Sequence, residues 1–173
     1  DTVPEPSFVR QLTRLPALSP DVVAVGRRRH ADFADIPLDA HPARARVLPE
    51  PRWLAEAYRA SRDLLDADDR SYRHVIGAVV ACSRAFFDET GGFDESFTEY
   101  GGEDWEWAYR AWLLGGVFAH VPTAVAWHDG PDAAGRGDLA GKNAEALRLA
   151  DLIPVAGSRP RGRASDRIDV LEI

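Results

Sequence analysis

The sequence predicts a layered α/β domain, in which a sheet packs against helices. Apolar, strand-like runs such as residues 21–26 and 74–83 alternate along the chain with segments of helical period, such as residues 103–114. Neither a GxGxxG pattern nor a phosphate-binding loop occurs in the 173 residues, so no nucleotide-binding βαβ unit is visible. We therefore expect half of an α/β fold rather than a complete one.

The first half of the chain predicts two helices, one strand and a long loop. Two prolines precede a helix over residues 7–15, whose apolar residues have helical spacing. Residues 21–26 form a short buried strand that ends in glycine. Residues 27–51 contain four prolines and no periodicity, which indicates a long surface loop. A second helical pattern covers residues 53–65.

The second half predicts the interior of the sheet. Residues 74–83 are almost continuously apolar, which is typical of a central strand covered on both faces. A short helix over residues 84–90 ends at two glycines, and a longer helix covers residues 103–114. Residues 117–128 predict two short strands that are broken at Pro122.

The end of the chain predicts a helix over residues 138–152, followed by a basic linker and the start of another segment over residues 153–173. The sequence contains no methionine and opens on Asp1, so we expect a piece of a longer protein.

Charge and composition exclude several classes of protein. The net charge of −7 argues against nucleic-acid binding, because proteins that bind the phosphate backbone carry basic surfaces. Cys82 is the only cysteine, so an internal disulfide is excluded. No apolar run approaches the roughly 20 residues that span a bilayer. We expect a cytoplasmic protein, and peripheral attachment to the inner face of the cell membrane stays open.

Residues 85–109 contain eight acidic residues and no Lys or Arg, and the helix over 103–114 lies partly within them. The helix is apolar on two opposite sides, which predicts burial between two layers. Glu106 and Arg110 stand at i and i+4 and are expected to pair. Asp104 has no basic partner on its own helix, and it lies in the first turn, where the helix dipole favours a carboxylate.

These features make Asp104 a candidate general base, because a base must be an ionised group beside a cleft. Simple capping of the helix by Asp104 or Glu103 is an equally open alternative. The Gly101-Gly102 pair before the helix predicts a close backbone approach with positive φ, or an ordinary turn. His128 closes a predicted strand, where a metal-ligand role and a polar surface role both stay open.

The motifs between residues 75 and 129 form a set. GGFDE is followed by an acidic loop, by GGED with aromatic residues and a YR dipeptide, by glycine, and by a WH dipeptide. The set resembles the inverting glycosyltransferases of families two and seven, including the family-seven galactosyltransferase C-terminal domain. The resemblance implies the C-terminal part of a GT-A fold, a three-layer arrangement with a mixed sheet flanked by helices. Residues 1–152 would be its acceptor-side part, and the nucleotide-binding half would precede Asp1.

The resemblance also implies a chemistry of hexosyl transfer, in which a nucleotide-diphosphate sugar is the donor and a hydroxylated molecule is the acceptor. Asp104 matches the catalytic base, and transfer would invert the anomeric carbon. Asp1 and His128 match positions that hold a divalent cation, Mg²⁺ or Mn²⁺. The fragment alone would be inactive without its donor half. The implied acceptor pocket consists of Tyr100, Gly101, Gly102, Glu103 and Trp105.

Two departures and two alternatives accompany the resemblance. Tryptophan occupies positions 105 and 107, where the helical pattern favours core packing over contact with sugar, and the loop over 27–51 would be an insertion. A non-catalytic module that binds carbohydrate or protein is the main alternative. A metal-dependent hydrolase would need a dense ligand motif such as HExxH, which the sequence lacks.

Overall fold

The structure is a computed structural model that describes residues 2–37, 40–98, 101–131 and 148–155. Its mixed sheet and flanking helices confirm the predicted α/β class. The elements are β1 (Thr2–Pro4), α1 (Phe8–Leu12), β2 (Val22–Asp32), β3 (Arg46–Leu48), α2 (Arg52–Ala60), β4 (Val80–Ala81), α3 (Arg84–Glu89), α4 (Glu103–Leu113) and β5 (Val117–Asp129). Short 3-10 turns cover Pro42–Arg44, Ser71–His74 and Gly77–Val79.

The sheet depends on a parallel pair at its centre. Among the described residues the strand order is β1-β5-β2-β3, and β4 also pairs with β2. Strands β2 and β5 are parallel, whereas the other pairs are antiparallel. The predicted break at Pro122 is wrong, because β5 is one strand. Its register with β2 shifts beside Gly26, which leaves Pro122, Thr123 and Ala124 outside the ladder, where a proline is tolerated.

The predicted long loop over residues 27–51 is also wrong, because these residues include the end of β2 and all of β3. Strand β2 continues to Asp32, and its arginines are held by contacts that are distant in sequence. Arg27 pairs with Glu50 through two hydrogen bonds of 2.7 and 3.1 Å. The guanidinium of Arg29 lies 4.4 Å from the ring centroid of Trp127. These contacts stabilise charged side chains on a strand that has no apolar periodicity.

The apolar run over residues 74–83 is not a central strand. Only Val80–Ala81 pair with β2, and two 3-10 turns precede them. Val75, Ile76 and Val79 are nevertheless buried in the main hydrophobic core. The run is apolar because it fills the core from a turn, and this burial does not require an extended backbone.

Helix α4 lies in the core, as its two apolar sides predict. Trp107, Ala108 and Ala111 are almost fully buried, and the Trp107 indole N–H donates to the Thr90 hydroxyl at 2.8 Å. The expected Glu106–Arg110 pair is confirmed, with hydrogen bonds of 2.5 and 2.7 Å. This pair is a structural contact, because Glu106 is buried.

Arg110 also fixes the segment between α3 and α4. Its guanidinium donates to the backbone oxygen of Thr90 and, at 2.7 Å, to that of Gly92. Gly91 and Gly92 both have positive φ, which confirms that they end α3. The Arg110 guanidinium thus donates hydrogen bonds to a buried carboxylate and to two backbone carbonyl oxygens.

The predicted helix over 138–152 can be followed only in its last part. Residues 148–152 are helical, and Leu149 and Ile153 are buried in the main core. Residues 138–147 of the predicted helix and residues 156–173 lie outside the described part of the chain. Within the described part, no helix has the length and apolar character needed to cross a membrane.

We predict that Arg110→Met lowers the free energy of unfolding by about 3 kcal/mol, because the buried Glu106 carboxylate loses its partner. The matched control is Arg84→Met, which breaks an exposed i,i+4 pair with Asp88 and should change stability by less than about 0.5 kcal/mol. Urea unfolding at neutral pH measures both. Equal losses in the two variants would contradict a structural role for the Glu106–Arg110 pair.

Candidate functional site

The candidate site lies at the start of α4, where two glycines shape the backbone. Gly101 and Gly102 have φ values of +102° and +107°, which confirms the predicted positive φ. At Gly102 a Cβ atom would lie 3.0 Å from Leu149 and 3.2 Å from Phe97. A side chain at position 102 would therefore suffer both backbone strain and crowding. Residues 148–152 are helical, and their Leu149 side chain packs against Gly102.

Two backbone amides orient the Asp104 carboxylate. The Gly77 N–H donates to Oδ2 at 2.9 Å, and the Trp105 N–H donates to Oδ1 at 2.9 Å. A Cβ at position 77 would lie 3.2 Å from the Asp104 Cβ, so glycine allows this close approach. Asp104 is therefore more than a helix cap, because it ties α4 to the turn at Gly77–Val79. The role of Gly77 as a donor to Asp104 cannot be predicted from the sequence, because its only signal is a glycine inside an apolar run.

Burial raises the pKa of the Asp104 carboxyl above its ordinary value of 3.8. The Gly77 hydrogen bond opposes this shift, and the neighbouring charge of Glu103 adds to it. Desolvation therefore outweighs the helix dipole, which by itself predicts a carboxylate held in its charged form. A carboxylate with a raised pKa is the stronger proton acceptor, which suits a general base.

The other predicted residues of the acceptor pocket surround Asp104 in different ways. Glu103 makes no side-chain cap, and its Oε2 is buried with no hydrogen-bond donor among the described residues. Trp105 is half-buried against the core and meets Tyr72 edge-on, at 6.4 Å between ring centroids. Trp107 is a core residue, as the helical pattern favoured. Tyr100 lies outside the described residues.

A second group of side chains lies near the carboxyl ends of β2 and β5. His128 pairs in register with His30, and their ring centroids are 5.3 Å apart. Both histidines are buried. His30 was not singled out from the sequence, because the parallel register that brings it beside His128 has no local signal.

Of the two residues predicted to bind a metal ion, one lies in the described part of the chain and one does not. His128 is placed at the end of β5, whereas Asp1 lies outside the described residues. Thr2 pairs with His128, so the chain enters β1 beside the histidine. The described residues contain no group of three or more His, Cys, Asp or Glu that could hold a metal ion. They thus offer no hydrolase-type cluster.

A cavity of about 320 Å³ opens between α2 and the middle of β2. Tyr58 stacks on His120, with 3.7 Å between the ring centroids. The His120 Nδ1 lies within hydrogen-bond distance of the Asp63 carboxylate, at 2.7 Å from Oδ1. Burial lowers the pKa of His120, which favours the neutral ring, although Asp63 opposes this shift. None of the predicted site residues lines this cavity, although Ile76 and Val79 on its wall flank the Gly77 turn.

Known proteins match this chain over the segment that contains Asp104. The family described as the N-terminal domain of galactosyltransferase matches residues 66–127. A chondroitin synthase of Escherichia coli is 27% identical over 150 residues, which cover 76% of this chain and 22% of that protein. A chondroitin synthase of Pasteurella multocida is 28% identical over 130 residues, which cover 64% of this chain and 13% of that protein.

A third relative is the probable N-acetylgalactosaminyltransferase 9 of Caenorhabditis elegans, which is 38% identical over 54 residues. Those residues cover 31% of this chain and 9% of that protein. This chain thus spans less than a quarter of the length of these three relatives. The matches confirm the resemblance to glycosyltransferases, and the mixed sheet with flanking helices agrees with part of a GT-A domain.

We predict that Asp104→Asn changes the pH dependence of stability. Because the folded pKa is raised, ionisation of Asp104 destabilises the native state, and this loss develops as pH rises from 3.8 through the folded pKa. The unfolding free energy of the variant, measured relative to wild type, should therefore increase over that window by about 1.4 kcal/mol for each unit of upward shift.

The control for this prediction is Asp94→Asn, because hydrogen bonds from Ser96 lower the pKa of the partly exposed Asp94. That carboxylate stabilises the fold above its unfolded pKa, and the effect is lost as pH falls through the folded pKa. The relative stability of this variant should consequently decrease with rising pH below about 4. Urea unfolding over a pH series measures both slopes, and a pH-independent difference for Asp104→Asn would contradict the raised pKa.

Proposed function

We propose that this chain is the acceptor-side part of an enzyme that transfers a hexosyl group from a nucleotide-diphosphate sugar to an acceptor hydroxyl, with inversion. The observation that carries the proposal is the Asp104 carboxylate, which is half-buried, held by the Gly77 and Trp105 amides, and given a raised pKa by partial burial. The glycosyltransferase relatives support sugar transfer as the class of reaction.

In this proposal Asp104 takes the proton of the acceptor hydroxyl as that oxygen attacks the anomeric carbon of the donor. The two carboxylate oxygens accept the Gly77 and Trp105 N–H groups and together have about four lone-pair sites, so a lone pair remains for the hydroxyl. The two amides fix the direction of the carboxylate before the acceptor binds, which lowers the cost of orientation. Its raised pKa increases the driving force for proton transfer.

Glu103 and Trp105 are proposed to bind the acceptor. The buried Glu103 Oε2 has no donor among the described residues, so a hydroxyl that reaches it would satisfy it. Trp105 keeps part of its ring accessible, which suits stacking against the apolar face of a sugar. Tyr100, Gly101 and Gly102 complete the proposed pocket.

We also propose a divalent cation, Mg²⁺ or Mn²⁺, with His128 as its ligand from the described part of the chain and Asp1 as a second ligand. The burial of His128 at the end of β5, beside a second imidazole, suits such a role. A bound cation would supply charge neutralisation for the leaving diphosphate. The donor, the acceptor and the cytoplasmic location are parts of the same proposal.

We predict that Asp104→Asn in the full-length protein lowers kcat by about 10²–10⁴-fold, because the amide cannot accept the proton. Donor binding, measured by calorimetry, should change by less than about 3-fold, since the base acts on the acceptor. The control is Asp94→Asn, which removes a partly exposed carboxylate that pairs with Arg148 and should leave turnover intact. Turnover retained by Asp104→Asn would contradict the base and favour a non-catalytic carbohydrate- or protein-binding module.

A second prediction concerns pH. Turnover requires the ionised form of Asp104, so kcat/KM should fall as pH drops through the folded pKa of this group. Because burial raises that pKa, the acid limb should lie above 3.8. Gly77→Ala retains the amide but crowds the carboxylate, so it should lower kcat while the acid limb persists. An acid limb at or below 3.8 in the wild type would contradict the assignment.

A further inference from the structure

We infer that His30 is a second imidazole ligand of the proposed cation and that it directs the site toward Mn²⁺ over Mg²⁺. The inference rests on the proposed function, because it assumes a cation at His128. It adds a residue that neither the sequence motifs nor the comparisons indicate.

The His30 ring is held by a single backbone group. Its Nδ1 lies 3.0 Å from the Gly130 carbonyl oxygen, and the Gly130 N–H in turn donates to the Ala31 oxygen at 2.8 Å. A carbonyl oxygen has only lone pairs, so Nδ1 must carry the proton. In the neutral ring, Nε2 then presents a lone pair.

That lone pair has no hydrogen-bond donor among the described residues. His30 is only 1% exposed, and its Nε2 is fully buried. A buried acceptor that lacks a donor is destabilising, so its retention calls for a ligand. Histidines that bind metals characteristically donate their other N–H to a backbone carbonyl or carboxylate, as His30 does to Gly130.

The placement of the two rings fits a shared ion. With metal–nitrogen bonds of about 2.1 Å and bond angles of about 90–110°, two imidazoles on one cation have centroids roughly 5 Å apart. The His30 and His128 centroids are 5.3 Å apart, with the ring planes inclined by 51°. His30 and His128 lie near the carboxyl ends of the parallel strands β2 and β5. Open α/β sheets bind their ligands at this edge.

The ligand set predicts the preference among metals. Carboxylate and phosphate oxygens suit Mg²⁺, whereas each imidazole favours a transition metal. A site with two imidazoles should therefore bind Mn²⁺ more tightly than Mg²⁺. His30 would account for much of this difference, since it adds nitrogen in place of water or an oxygen ligand.

The test uses His30→Asn in the full-length protein. The asparagine amide can replace the Nδ1 donor to Gly130, but it has no equivalent of Nε2, so structural and metal roles are separated. We expect a Kd for Mn²⁺, added alone, that rises by about 10–100-fold. The Kd for Mg²⁺ should change by less than about 3-fold. His41→Asn, which removes an exposed imidazole, is the control for both values.

Spin-echo spectroscopy of bound Mn²⁺ supplies a readout other than activity. We expect two coordinated imidazole nitrogens in the wild type and in His41→Asn, and one in His30→Asn and in His128→Ala. A wild-type signal from one nitrogen that is unchanged in His30→Asn but lost in His128→Ala would overturn the inference and leave the proposed cation site intact. A Mn²⁺ ion without any imidazole nitrogen, or no Mn²⁺ binding, would overturn both.

Discussion

The parallel pairing of β2 with β5 is the constraint from which the rest of the arrangement follows. Ten register pairs join the strands from Val22 and Val117 to Ala31 and Asp129. Parallel strands require a long crossover, and here it runs from residue 33 to residue 116 and includes α2, α3 and α4. Asp104 and Gly77 both lie in this crossover. The two parallel strands therefore anchor both ends of the segment in which Asp104 and Gly77 meet.

Within the crossover, one hydrogen bond places the candidate base. The Gly77 amide belongs to a 3-10 turn and the Asp104 carboxylate to the first turn of α4, and the absence of a side chain at Gly77 allows their close approach. Burial raises the pKa of Asp104 while the amide lowers it. A donor that stabilises the charge and partial burial that penalises it together produce a carboxylate that is oriented and has a raised pKa. Neither effect alone would do so.

The sequence predicted the features that depend on local spacing. Helix α4, its Glu106–Arg110 pair and the glycines that end α3 follow from residues within one or two turns of each other. The strand character of residues 27–32 was missed because the partners of Arg27 and Arg29, Glu50 and Trp127, are distant in sequence. An apolar run such as residues 74–83 reports burial, and burial is compatible with strand and turn alike.

The same distinction separates the two parts of the proposed chemistry. The neighbourhood of Asp104 contains a local motif, GGED, so sequence alone could single out the carboxylate, although its donor Gly77 could not be seen. His30 is recognised only through the register of β2 on β5, which no motif encodes. The proposed base thus depends on one backbone contact made by a turn, whereas the histidine pair depends on a whole ladder. A disturbance of the Gly77 turn should therefore alter the proposed proton transfer while the strands still hold the imidazoles together.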